Sequence, residues 1–166
     1  MLPPTRLFLH YLERLKELLH RIDRADAAIF GARLHPDMFP LLQQARTAVG
    51  FALRTSCPLA GREIVSFADG ACTLQKVVSE IDAAMRYLSA IPDADFGAID
   101  TREIGTVAGF AELQLSGWGY YLMYAVPNFF FHYAMVYAIA RQAGAPVGKA
   151  DFDGYHVYPP GFSFEA

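Results

Sequence analysis

Tyr124, Asn128 and His132 stand four residues apart in a stretch, Leu113 to Ala140, that holds no Asp, Glu, Lys or Arg. On a helix that spacing puts all three side chains on one face. Phe129, Phe130 and Phe131 precede His132, so the imidazole is expected in apolar surroundings. A polar group buried there costs free energy unless it is hydrogen-bonded, so Asn128 and His132 need partners. Side chains able to supply them occur earlier in the chain, at Asp37, Gln43, Gln44 and Thr47. Two arrangements fit this set. One is an internal polar network that fixes helix register. The other is a small-molecule pocket lined by Asp37, Gln44, Tyr124, Asn128 and His132. There His132 can act as a general acid or base, because imidazole titrates near neutral pH.

Other chemistries find less support. The five histidines are His10, His20, His35, His132 and His156, and no two lie three or four residues apart. No helix therefore offers two imidazoles to one ion, and the two cysteines, Cys57 and Cys72, do not form a C-x-x-C pair. Neither a metal nor another cofactor is expected from such a set. His35 could approach His132 only from a loop ahead of Pro36. No G-x-S-x-G turn is present. Cys57 sits at a helix end, where the dipole disfavours a thiolate, whereas Cys72 precedes a helix and is the more reactive of the two, with an inert loop cysteine the preferred reading. Asp93, Asp95, Asp100 and Glu103 read as a solvated loop. The GFAELQLSG stretch lacks the Lys-Ser or Lys-Thr of a phosphate-binding loop.

Four helices can position these residues. Phe8, Tyr11, Leu12, Leu15, Leu18, Leu19 and Ile22 recur at three- and four-residue steps and predict a first helix over 4–28. A second begins near Asp37, a good cap, and ends at Cys57-Pro58; Met38, Leu41, Leu42, Ala45, Ala48, Val49 and Ala52 form its apolar face. The stretch 59–72 reads as a loop with a short extended piece at 63–67. Thr73 caps a third helix, whose stripe is Leu74, Val77, Val78, Ile81, Met85 and Leu88, and Pro92 stops it. Short segments at 101–107 and 111–115 around Gly109 predict a small β-hairpin between the third and fourth helices. The fourth helix covers 119–143, with a kink at Pro127, which cannot donate to the Met123 carbonyl. Residues 147–166, rich in Gly, Pro and aromatics, are expected to lie as a tail over the surface. The predicted fold is all-α: a single domain over 1–166, a four-helix bundle with a β-hairpin insertion.

Composition narrows the partners. With 166 residues and 54% hydrophobic content the chain can build a sizeable core, which excludes a disordered protein. A net charge of −3 advertises no basic face, so no nucleic acid partner is expected. Charged helix follows Met1 to Pro4 without a secretory signal, so reduced thiols in a cytoplasmic protein are expected. The uncharged 113–140 stretch is long enough to cross a bilayer. It contains Gly117, Gly119, Pro127, Asn128 and His132 and lacks basic flanks, so burial in a bundle or a subunit interface is preferred to membrane insertion. Its excess of apolar faces predicts a two-fold homodimer.

Three stretches resemble one bacterial family of unknown function, DUF1993, grouped with the DinB/YfiT-like metalloenzymes. They are ARLHPDMFPLLQQA (32–45), VPNFFFHYAMVYAIARQAG (126–144) and PVGKADFDG (146–154). The resemblance implies a DinB-like bundle, often dimeric. It also implies a comparison with a metal held by three histidines, one from the second helix and two, four residues apart, from the fourth. Those positions fall on or near Gln44 and on Asn128 and His132, so at most one histidine of three remains. The functional expectation is a small molecule held between the second and fourth helices beside a degenerate metal site. Its alternative is a non-catalytic structural or stress-related homodimer without a ligand.

Overall fold

The computed structural model describes residues 3–159 and 161–162; the end of the expected tail, 163–166, lies outside the described residues. Helix α1 spans Pro4–Ala25. Pro4 sits at its first position, where a missing N–H costs nothing. Phe8, Leu12, Leu15, Leu18, Leu19 and Ile22 are all sealed from solvent. The helix stops three residues before the expected Ala28, because Asp26 turns extended and its carboxylate accepts from Ala28 N, opening a 3₁₀ turn over Ala27–Gly31.

Helix α2 spans Leu41–Leu59, so the expected start at Asp37 is corrected. Pro40 restricts the residue before it to extended backbone, and the helix cannot form until Pro40 has passed. Residues 35–38 instead make a turn closed by Met38 N donating to His35 O. At the other end α2 continues through Pro58 to Leu59. Proline removes the N–H that would have reached the Arg54 carbonyl. The buried Tyr120 hydroxyl donates to that carbonyl at 2.8 Å and repairs the loss.

Residues 62–69 are loop, as expected, and pair with no strand. Helix α3 spans Leu74–Ser89, with the Thr73 hydroxyl accepting from Lys76 N as its cap. Strands β1 (Glu103–Ala108) and β2 (Ala111–Ser116) pair antiparallel, Glu103 opposite Ser116 and Ala108 opposite Ala111. Gly109 takes φ 62° in the two-residue turn between them, a conformation that disfavours any other residue.

Helix α4 runs over Gly117–Gln142. Its part over Tyr120–Ala125 is wound as a π-helix, and regular α-helix resumes at Val126. The expected disturbance at Pro127 is thereby moved one turn upstream. Val126 N donates five residues back to Tyr121 O, and Pro127 falls in the first turn of the regular segment, where its missing N–H is tolerated. The tail carries a further helix, α5 (Lys149–Asp153). The DUF1993-like sequence PVGKADFDG thus folds as a clip. Tyr133 Oη donates to Phe152 O at 2.6 Å, and His10 Nε2 lies 2.8 Å from Asp153 O.

The chain is mostly helical with one small antiparallel sheet. The core is one cluster drawn from α1, α2, α3 and α4, and α2 packs most extensively on α4. Between α2 and α3, Arg46 makes a two-pronged ion pair with Glu80, at 2.6 and 3.0 Å, and donates to the Gly70 and Ala71 carbonyls. Glu80 is only 4% exposed, so this pair fixes the loop before α3 to the body.

Candidate functional site

The seam between α2 and α4 holds the polar residues singled out above. His132 Nδ1 lies 2.6 Å from Gln44 Oε1, which joins the two helices directly. Gln44 is 2% exposed, and its Nε2 donates to Phe39 O at 3.3 Å. That second bond orients the amide so that Oε1 faces the imidazole. A carboxamide oxygen can only accept, so Nδ1 carries the proton and Nε2 of the neutral ring keeps its lone pair. Nε2 has no hydrogen-bond partner among the described residues, and it is not a sealed atom: the buried unpartnered polar atoms described are Ser56 Oγ and Arg102 Nε.

Aromatic rings frame the imidazole. Phe51 stacks on it at 5.5 Å and Phe39 at 6.5 Å, while Phe131 meets it edge-on at 5.1 Å. The Arg54 guanidinium lies 4.1 Å over the other ring of this stack, Phe51. Burial, and then the Arg54 charge, hold the His132 pKa below the ordinary histidine value. A half-buried, neutral imidazole with a fixed tautomer can accept a hydrogen bond or take a proton at Nε2.

The remaining expected site residues separate. Asp37 is exposed, pairs with His35 in the 35–38 turn and does not reach the seam. Asn128 is half-buried, and its Nδ2 donates back to Tyr124 O at 2.7 Å rather than across to α2. The Tyr124 ring packs against Tyr120 and Phe51. Gln43 and Thr47 bond to each other along α2. Asn128 and His132 are therefore not sealed from water, as a wholly central helix would have required. The reason is that α4 lies at the side of the core, with 28% of its most apolar 18-residue window buried.

Sequence reasoning missed Phe39, Phe51 and Arg54. Phe51 lies seven residues after Gln44, two helical turns along the same face, and Arg54 follows one turn later. The spacing signal was present but hidden among ordinary core positions.

The three positions that the family resemblance assigns to metal ligands do not fit a metal. They present one imidazole and two carboxamides, and both carboxamides are already engaged, Gln44 with His132 and Asn128 with its own helix. Among the described residues no three His, Cys, Asp or Glu side chains gather as a possible metal site. The cysteines are both free, Cys57 buried and Cys72 half-buried. Burial pushes the Cys72 thiol up against the opposing pull of Arg46, so its place before α3 does not make it a ready thiolate.

The profile of DUF1993, a domain of unknown function, matches residues 5–153. The chain belongs to the DUF1993 family. No curated protein matches the DUF1993 chain. Its structure is similar to the crystal structure of a DinB family member from Shewanella denitrificans, with 26% sequence identity and a TM-score of 0.81. That similarity covers 93% of this chain and 92% of the other, so the DUF1993 chain is DinB-like over that span.

Proposed function

We propose that this DUF1993 domain is a metal-independent, DinB-like four-helix bundle that binds a small hydrogen-bond-donating molecule at the seam of α2 and α4. The observation that carries the proposal is the state of His132. Gln44 fixes Nδ1, three phenylalanines surround the ring, and Nε2 is left without a protein partner. Pinning one ring nitrogen so that the other faces outward is how proteins prepare an imidazole to act. Phe39 and Phe131 are each about half-exposed beside it, so an aromatic donor can stack there. The test is a titration of the labelled protein with phenol, followed through the His132 ring nitrogens by NMR. Saturable movement of Nε2, together with shifts of the neighbouring Phe39 and Phe131 rings that His132→Gln abolishes, supports the reading. A ring protonated at Nε2, or one that phenol leaves unmoved, overturns it.

A second reading has its own support, in that both polar atoms of buried Gln44 are satisfied within the protein. In it the contact serves only to set helix register in a non-catalytic homodimer. Either reading takes the domain as a soluble cytoplasmic protein, outside membranes, that assembles through α4. Met123, Pro127 and Phe131 recur at four-residue steps along α4 and are all exposed, and Leu122 adds to the apolar surface. A patch of this kind marks an interface in soluble proteins. Sedimentation is expected to give a dimer that Met123→Glu with Phe131→Glu converts to a monomer. A wild-type monomer at micromolar concentration overturns the assembly.

A further inference from the structure

A second surface carries chemistry unrelated to His132. Where the last turns of α1 face the start of the tail, a cleft of about 540 Å³ is lined by Glu17, His20, Arg21, Arg24, Pro146 and Asp151. Its acids are already neutralised. Glu17 pairs with Arg14 at 2.6 Å. Asp151 pairs with Arg21 and also accepts from Gly148 N. The basic side are not all used. His20 and Arg24 stand four residues apart, on one face of α1, and neither makes a hydrogen bond or ion pair among the described residues.

We propose that this cleft binds a small anion, a phosphate or carboxylate group, through Arg24 and His20. The guanidinium offers a planar fork that matches either oxyanion with two parallel N–H bonds, and the imidazole one turn away adds a third donor. Arg21 borders the same space and holds Asp151, and Arg14 holds Glu17, which leaves Arg24 as the lining cation with no acid partner among the described residues. Pro146 gives the cleft an apolar wall, which suits the short carbon body of a phosphate monoester or small carboxylic acid. The clip formed by the tail is part of the site, since Pro146 and Asp151 both belong to it. That gives the PVGKADFDG stretch a role besides fastening the chain end.

The experiment uses the full chain and inorganic phosphate, with acetate as the carboxylate probe. Side-chain NMR of labelled protein at low ionic strength is expected to show saturable shifts of Arg24 and His20, weakened by added salt because the site is open to solvent. Arg24→Glu should weaken phosphate binding by at least about tenfold, while the thermal midpoint falls no further than Arg86→Glu lowers it, since both exposed arginines lie in the last turn of a helix and complement its dipole. Arg86→Glu, on the exposed face of α3, changes the net charge equally and is the control. Equal weakening by Arg86→Glu and Arg24→Glu would reduce the effect to general electrostatics and overturn the site. Shifts that do not saturate, or that miss His20 and Arg24, overturn it as well. Response to phosphate alone assigns the cleft to phosphorylated ligands, and response to acetate extends it to carboxylates.

Discussion

Removing the His132 side chain tests the seam most directly. His132→Ala strands Gln44 Oε1, which belongs to a side chain only 2% exposed. Leaving a buried acceptor unpaired costs about 1–3 kcal/mol. Because His132 is half-buried, water can enter the space it leaves, and the lower part of that range, about 1–2 kcal/mol, is expected. For a domain of this size that corresponds to a fall in thermal midpoint of about 2–8 °C. Urea unfolding followed by circular dichroism measures it as a lower midpoint at an unchanged slope. Gln44→Leu should cost a similar amount, since it strands the Nδ1 proton. The double variant should cost less than the two added together, by about 0.5 kcal/mol or more, as expected for groups in direct contact. A loss below about 0.5 kcal/mol in both single variants, the level of an ordinary surface change, would refute the bond between the helices.

Acid should weaken the domain through the same residue. The folded-state pKa of His132 lies below its unfolded value, so the unfolded chain binds the proton more readily, and stability falls as pH drops through about 6.5 and levels off below the folded value. Urea unfolding at several pH values should give a shallower dependence between pH 7 and 5 for His132→Gln, and identical curves would exclude the effect. Arg46→Ala should cost about 3–5 kcal/mol, because it leaves the Glu80 carboxylate buried and unpaired; thermal unfolding indistinguishable from wild type would contradict the burial of that pair. Elemental analysis of untagged protein should find zinc, nickel and iron well below one equivalent, whereas Gln44→His combined with Asn128→His supplies three imidazoles and should gain zinc. One tightly held equivalent in the wild type, lost on His132→Ala, is the contrary result.

The helical elements were legible because local rules create them. Sealed Phe8 to Ile22, the Thr73 cap and the Gly109 turn each follow from spacing or backbone preference over a few residues. The shared face of Tyr124, Asn128 and His132 was legible for the same reason, as was Gln44 on the opposing helix. The boundaries that failed depend on competition between neighbours. Asp37 is a good cap by type, but Pro40 forbids helical backbone just before it, so α2 starts at Leu41 and Asp37 is left outside the seam. What only the tertiary structure decided is which polar groups meet. Asn128 turns back to its own helix while His132 crosses to Gln44, and periodicity cannot distinguish the two. The same holds for Tyr120, whose hydroxyl completes the Arg54 carbonyl left open by Pro58, 62 positions earlier in the chain. Such pairings rest on the separation and rotation of two packed helices. A sequence encodes them only through the sum of every contact in the core, and so the helices could be read one by one while the site between them could not.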